Sequence, residues 1–153
     1  MNRRQRPGPV VIACVAMAFV AGCGKDPASP PSIAPSSSTA RVVSLIPSAT
    51  SILLDLGAGS DLAGATRYCR LPAALADLPR VGGILDVSAE AVVALRPTLV
   101  IGSPAVLKGR LADLCSAAGA RLLPLDFENL DDVRRGIADI GAAVGRQNEA
   151  SRL

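Results

Sequence analysis

From residue 41 onward, short apolar runs alternate with segments in which apolar residues recur at helical spacing. The runs lie at residues 41–46, 62–68, 98–102 and 121–125, and the run at 98–102 is of the kind buried on both faces of a parallel sheet. Helical spacing predicts a turn at 72–77 and helices over 48–56, from near Ser88, over 107–118 and over 130–144. This alternation predicts an α/β fold, a Rossmann-like lobe whose mostly parallel sheet is flanked by helices.

The N-terminal segment follows a different pattern. Three arginines stand within the first six residues, and an apolar run follows over residues 10–20. This run is too short for a bilayer, which needs about 20 apolar residues, so residues 1–22 are predicted to be an export signal peptide. The ending Val20-Ala21-Gly22-Cys23 resembles the lipobox of bacterial lipoproteins, which implies cleavage before Cys23 and a lipid on it. The alternative is an ordinary signal peptide with an incidental cysteine.

The segment after the signal is predicted to be a tether. Residues 24–39 are rich in Pro, Ser and Ala and nearly free of large apolar side chains. Such a segment buries too little surface to offset the entropy lost on ordering. Residues 23–40 are therefore predicted to be a lipidated cysteine with a flexible spacer, which places the domain outside the cytoplasm, held at a membrane.

Charge and residue inventory exclude several functions. The chain has 16 basic and 13 acidic residues, and removal of the three signal arginines leaves 16 − 3 = 13 basic residues, so the mature chain is formally neutral. Nucleic acid is therefore not an expected partner. Because the chain has no histidine, the usual catalytic triads and zinc sites cannot be assembled. We expect no enzymatic activity, no metal site and no cofactor.

Two cysteines remain in the predicted domain, Cys69 and Cys115. In an oxidising compartment they could form a disulfide. The alternative is that both are buried thiols that pack as small apolar side chains. The sequence leaves this choice open.

Ligands of open α/β sheets bind beyond the carboxyl ends of the strands, where loops and helix N-termini converge. The candidate contacts are the residues that follow the predicted strands and the glycine-bearing connection: Pro47, Ser48, Ala49, Thr50, Tyr68, Cys69, Gly82, Gly83, Ile84, Ser103 and Pro104.

Four segments, RVVSLIPSATSILLDLGAG, GATRYC, LPRVGGILD and SAEAVVALRPTLVIG, carry a family resemblance. In order and spacing they resemble the N-terminal lobe of ABC-transporter substrate-binding proteins for vitamin B12 and iron siderophores. The resemblance implies one half of a two-lobed solute-binding protein, with residues 41–145 as the lobe and 146–153 as the start of an inter-lobe helix. The second lobe is then missing from this chain.

The resemblance also implies a function. It implies a periplasmic, lipid-anchored component of an ABC importer that binds cobalamin or an iron-siderophore-like chelate and delivers it to a membrane permease. Ligand contacts are implied at the positions already identified, and Glu90 is implied to be a carboxylate that docks on the permease. A helix N-terminus would by itself also favour an acidic residue at position 90.

Some residues leave more than one interpretation open. Tyr68 is either a ligand contact or a half-buried side chain at the sheet edge. Arg67, Arg70 and Arg80 could meet an anionic chelate or be solvated surface charges. Ile84 and Ser103 stand where B12 binders can offer aromatic rings, which leaves siderophores, heme or another large chelate possible.

Two other functions remain compatible with the sequence. The chain could be a self-contained surface lipoprotein that serves as an interaction or structural module, with its exposed surface covered by dimerisation. It could also be a fragment without activity of its own.

Overall fold

The computed structural model describes residues 40–153. The predicted signal peptide, the lipidated Cys23 and the spacer up to residue 39 lie outside the described residues, so these assignments stay predictions. Within residues 40–153, no helix combines the length and the apolar character required to cross a membrane.

Four strands and five α-helices make up the described part of the chain. The strands are β1 (Val42–Ser44), β2 (Leu62–Ala65), β3 (Leu99–Gly102) and β4 (Arg121–Pro124). The helices are α1 (Pro47–Asp55), α2 (Ala89–Ala94), α3 (Gly109–Ala117), α4 (Leu130–Ala143) and α5 (Gln147–Ala150), with short 3-10 turns at Gly59–Asp61 and Ala73–Leu75. The predicted alternation of strands and helices is confirmed.

Several elements are shorter than predicted, including β1, which covers Val42–Ser44 instead of residues 41–46. Two of the differences are explained by turns. The second strand ends at Ala65 instead of residue 68, because the chain turns at residues 66–69, where the Cys69 N–H donates to the Thr66 carbonyl over 3.2 Å. The third helix begins at Gly109 instead of residue 107, because the N–H of Leu107 donates to the carbonyl of Ser103 over 2.9 Å in a preceding turn.

The four strands form one parallel sheet in the order β2-β1-β3-β4. Val42 at the start of β1 pairs with Leu62 on one side and with Leu99 on the other. Because all strands run in one direction, their carboxyl ends lie at the same edge of the sheet. The loops that follow β1, β2 and β3 therefore begin at that edge, as predicted.

Helices cover the sheet through two buried clusters. Val42 packs with Leu53 of α1 and Ile140 of α4, whereas Val43 packs with Val92 of α2 and Cys115 of α3. Successive strand residues point to opposite faces, so the two clusters lie on opposite faces of the sheet. Each fully buried aliphatic side chain of this size contributes roughly 1.5–3 kcal/mol relative to an exposed one. The result is the α/β lobe expected from the sequence.

Side-chain caps set the start of two helices. The hydroxyl of Ser88 accepts a hydrogen bond from the N–H of Ala91 over 3.1 Å at the start of α2, so Ser88 is the cap. Asn129 and Asp132 form a reciprocal capping box at the start of α4.

The two cysteines of the domain are both buried free thiols. Cys115 lies in the cluster with Val43 and Val92, whereas Cys69 belongs to the turn after β2. Burial raises the pKa of the Cys115 thiol. Of the two interpretations that the sequence left open, a disulfide and two buried thiols, the structure agrees with the second.

Candidate functional site

The turn over residues 66–69 presents the single tyrosine of the chain at the carboxyl edge of the sheet. Tyr68 is 58% exposed, which is high for a large aromatic side chain. The guanidinium carbon of Arg67 lies 5.9 Å from the centroid of the Tyr68 ring, within the range of a cation–π contact. The tyrosine therefore stands in solvent with a cation beside its ring.

A second loop, over residues 82–86, packs against this turn. The carbonyl of Gly82 accepts a hydrogen bond from the backbone N–H of Arg67 over 2.8 Å, and the side chain of Arg67 forms an ion pair with Asp86. The other carboxylate oxygen of Asp86 accepts from the N–H of Gly83 over 2.9 Å. A Cβ on Gly83 would lie 3.1 Å from Cε2 of Tyr68, so the ring rests against the bare glycine. The two loops thus form one surface.

This surface is apolar at its centre. Ile84 is 44% exposed and Leu85 is 99% exposed, next to Tyr68. A hollow of about 570 Å³ is lined by Arg67, Tyr68, Ile84, Leu85 and Asp86. We call these five residues the apolar wall. A second hollow of about 330 Å³ shares Ile84 and Leu85 with it and continues toward Val106 and Lys108.

Beneath the wall lies a buried polar cluster of four side chains: Ser44, Thr50, Thr66 and Cys69. Oγ1 of Thr50 lies 2.8 Å from Oγ of Ser44 and 3.0 Å from Sγ of Cys69, and Oγ1 of Thr66 lies 3.2 Å from the same sulfur. The cluster joins β1, α1 and the turn after β2. Among the described residues, no buried side-chain nitrogen or oxygen lacks a hydrogen-bond partner, so this cluster is a satisfied structural feature.

The predicted contacts divide according to exposure. Ser48, Tyr68, Ile84 and Pro104 are exposed, and Pro47, Gly82 and Ser103 are partly buried. The side chains of Ala49, Thr50 and Cys69 lie in the core, and Gly83 is covered by the Tyr68 ring. A ligand could not reach these three side chains without displacing their neighbours, because they face the interior of the lobe.

Leu85 was not among the predicted contacts although it is the most exposed large apolar side chain of the wall. Its signal in the sequence is an apolar Ile-Leu pair inside a loop, between two glycines and an aspartate. Apolar residues in a loop that has no helical or strand periodicity have no core face to occupy, which makes them candidates for a binding surface.

Comparison with known proteins assigns the family. A family profile described as periplasmic binding protein matches residues 42–153. The chain belongs to the periplasmic binding protein family. The expectation of a solute-binding protein family, and not of an enzyme family, is confirmed.

Known relatives agree with this assignment. An uncharacterized ABC transporter substrate-binding lipoprotein, YvrC of Bacillus subtilis (strain 168), is 29% identical over 116 residues, which cover 74% of this chain and 37% of that protein. The periplasmic heme-binding protein RhuT from Roseiflexus sp. RS-1 is 31% identical with a TM-score of 0.66 over 74% of this chain and 44% of that one. A periplasmic heme-binding protein from Pseudomonas aeruginosa is 29% identical with a TM-score of 0.67, over 73% and 40%. The chain thus spans less than half the length of these relatives.

The structure of this periplasmic binding protein domain also locates Glu90. Its carboxylate lies in the first turn of α2 and accepts a hydrogen bond from Nη2 of Arg110 over 2.6 Å, with both side chains largely exposed. A backbone N–H bond of the helix turn and the charge of Arg110 hold the pKa of Glu90 below its ordinary value. The carboxylate is therefore ionised at neutral pH and available at the surface.

Replacement of Arg110 by glutamine is expected to raise the pKa of Glu90 toward its ordinary value, because the guanidinium that stabilises the carboxylate is lost. The lowered folded-state pKa stabilises the fold above the unfolded-state pKa, and this contribution is lost as pH falls through the folded pKa. Carboxyl carbon shifts in an NMR titration report the Glu90 pKa directly. Arg134→Gln, which removes a distant exposed arginine paired with Asp131, is the control and should leave Glu90 unchanged. An equal effect of both variants would contradict the pairing.

Proposed function

We propose that this domain forms one wall of the binding site of an ABC importer's solute-binding protein. We further propose that the ligand is a large metal chelate, and that heme or cobalamin is preferred to a ferric siderophore. The observation that carries the proposal is the apolar wall, where Tyr68, Ile84 and Leu85 are exposed together at the carboxyl edge of the sheet. Soluble domains rarely leave such side chains contiguous and exposed without a binding role.

The chemistry of the wall suits a flat tetrapyrrole. An aromatic ring with two aliphatic neighbours offers broad contact to a macrocycle, and each Å² of apolar surface removed from water contributes roughly 25 cal/mol. The Tyr68 phenol is also a side chain of the type that can hold heme iron. Arg67 provides a cation for an acidic substituent of the ligand, at the cost of loosening its ion pair with Asp86.

The relatives support this ligand class. Both solved relatives described above are named as heme-binding, and both are more than 25% identical to this chain. The hollow over the wall, about 570 Å³, falls within the range of small-molecule sites. Because the chain spans less than half of each relative, we propose that a second lobe provides the opposite wall.

Delivery and location belong to the same proposal. We propose that the domain is held outside the cytoplasmic membrane by a lipid on Cys23, in keeping with the lipobox resemblance and with the lipoprotein name of the Bacillus relative. We further propose that the ionised, exposed Glu90 docks on a cationic site of the permease. Docking would require Glu90 to exchange Arg110 for a partner on the permease.

Titration of the purified chain with hemin, cyanocobalamin and a ferric hydroxamate siderophore tests the proposal. We expect saturable binding of a tetrapyrrole, seen by absorbance and calorimetry, with a Kd on the order of 10–100 µM, because one wall covers less than the 70–90% of ligand surface buried in closed sites. Metal-free protoporphyrin separates metal ligation from stacking. Absence of saturable binding for all three chelates would refute the ligand class, and saturation with the siderophore alone would refute the preference for tetrapyrroles.

A further inference from the structure

Arg80 makes an unusual pair of contacts next to the apolar wall. Its Nη1 donates to the carbonyl of Thr66 and to the carbonyl of Cys69, each over 2.9 Å. These two carbonyls stand at the first and last residues of the turn that carries Arg67 and Tyr68. The guanidinium therefore clamps both ends of that turn.

The backbone of Arg80 is fixed before its side chain reaches the turn. Ala65 pairs with Arg80 in a parallel bridge, in which the N–H of Ala65 donates to Pro79 over 3.1 Å and the N–H of Val81 donates to Ala65 over 3.0 Å. Arg80 is thus anchored along the end of β2, from which its side chain spans to the turn. Because the backbone of Arg80 is held by the sheet, its side-chain contacts restrict the conformation of the turn more strongly than contacts from a mobile loop would.

The same geometry separates Arg80 from the ligand. The five residues that line the hollow over the wall include Arg67 but not Arg80. The cationic group of Arg80 is directed at two backbone carbonyls, which are its charge-assisted acceptors. Arg80 is an exposed residue, as the interpretation of a solvated charge expected, but its guanidinium also binds two backbone carbonyls, which neither interpretation predicted.

We propose that Arg80 is a positioning residue, which holds the turn over residues 66–69 so that Tyr68 faces the ligand. The ligand part of this inference rests on the proposed function, whereas the effect on Tyr68 does not. One nitrogen of the planar guanidinium, Nη1, donates to both carbonyls in a fixed orientation. The point charge of a lysine lacks that fixed geometry. Lysine at this position is therefore expected to restore charge without restoring the orientation of Tyr68.

The chain supplies its own reporter for this test. Tyr68 is the only tyrosine and there is no tryptophan, so tyrosine fluorescence arises from this one side chain. Fluorescence anisotropy and acrylamide quenching would be measured without ligand in the full chain and in Arg80→Gln and Arg80→Lys. In both variants we expect lower anisotropy and a changed quenching constant, and tetrapyrrole affinity reduced about threefold to tenfold, as for loss of a charge-assisted hydrogen bond.

Arg41 provides a matched control. Its Nε and Nη2 donate to the carbonyl of Leu95 over 3.0 and 2.7 Å, which is a similar guanidinium–carbonyl contact at the opposite, amino-terminal end of β1. Arg41→Gln should leave the Tyr68 signal and the ligand affinity unchanged. Far-ultraviolet circular dichroism of every variant identifies one that has lost its fold, and the milder Arg80→Lys then carries the comparison.

The outcomes distinguish the inference from the proposed function. A changed Tyr68 signal in a chain that binds none of the chelates would support positioning by Arg80 and refute the proposed ligand. An unchanged Tyr68 signal with reduced affinity would overturn positioning, because Arg80 would then act on the ligand directly. Unchanged signal and unchanged affinity, or an equal effect of Arg41→Gln, would also overturn it.

Discussion

Replacement of Gly82 by alanine is expected to lower the free energy of unfolding by about 2–4 kcal/mol, the sum of backbone strain and overpacking. Gly82 has φ +115°, a conformation that residues with a side chain rarely adopt. An added Cβ would also overlap the carbonyl oxygen of Asp86 and lie 3.1 Å from Cα of Val87, and both of these are backbone atoms that cannot rotate away. Urea denaturation followed by circular dichroism measures the loss.

Gly57→Ala separates the two causes. Gly57 also has positive φ, +71°, but an added Cβ would meet nothing within 4 Å. Its replacement is expected to cost about 1 kcal/mol, because only the left-handed conformation is penalised. If the Gly82→Ala chain is no less stable than the Gly57→Ala chain, the loop over residues 82–86 can shift to accommodate the added Cβ without loss of stability, which would contradict this prediction. Since Gly82 accepts the hydrogen bond of Arg67, Gly82→Ala is also expected to weaken the ligand site.

Replacement of Tyr68 by alanine is expected to weaken tetrapyrrole binding about tenfold to a hundredfold, which corresponds to the roughly 1.5–3 kcal/mol of a large apolar contact. The stability of the chain should change little, because Tyr68 is 58% exposed and its loss leaves no cavity in either core cluster. Ligand titration by absorbance, paired with urea denaturation of the same samples, measures both quantities. Unchanged affinity in Tyr68→Ala would remove the tyrosine from the binding site.

Two further variants define how Tyr68 acts. Tyr68→Phe keeps the ring and removes the hydroxyl, so an altered heme absorption band in this variant would indicate iron ligation by the phenol, and an unchanged band would indicate stacking. Leu130→Ala is the matched surface control, because Leu130 is another large apolar side chain, 66% exposed, at the start of α4. It should leave ligand binding as it is. A loss of affinity equal to that of Tyr68→Ala would point to nonspecific apolar contact.

The order of elements could be predicted because it depends on local periodicity. Apolar runs such as residues 98–102 are short, continuous and followed by helical spacing, a pattern typical of strands in a sheet that is buried on both faces. The ends of elements were predicted less well. The extent of β2 depends on the turn at Thr66 and on hydrogen bonds from the distant segment around Arg80, neither of which has a periodic signal.

The candidate site shows the same division. The rule that ligands bind beyond the carboxyl ends of parallel strands led from sequence to the loops of Tyr68 and Ile84, and both side chains are exposed there. It did not distinguish them from Thr50 and Cys69, which follow strands equally closely but point into the core. Side-chain direction in a loop depends on three-dimensional packing, and the spacing of residues does not encode it.

The sequence by itself determined the α/β class, the order of strands and helices, the absence of histidine chemistry and the family resemblance that the profile match confirms. Tertiary structure decided that the two cysteines stay separate, that Leu85 joins Tyr68 in an exposed wall, and that Arg80 clamps the tyrosine turn. The physical reason is the distance along the chain over which each kind of signal acts. Periodicity and residue inventory act over a few neighbours, whereas burial and hydrogen bonding between loops depend on contacts that only the folded sheet brings together.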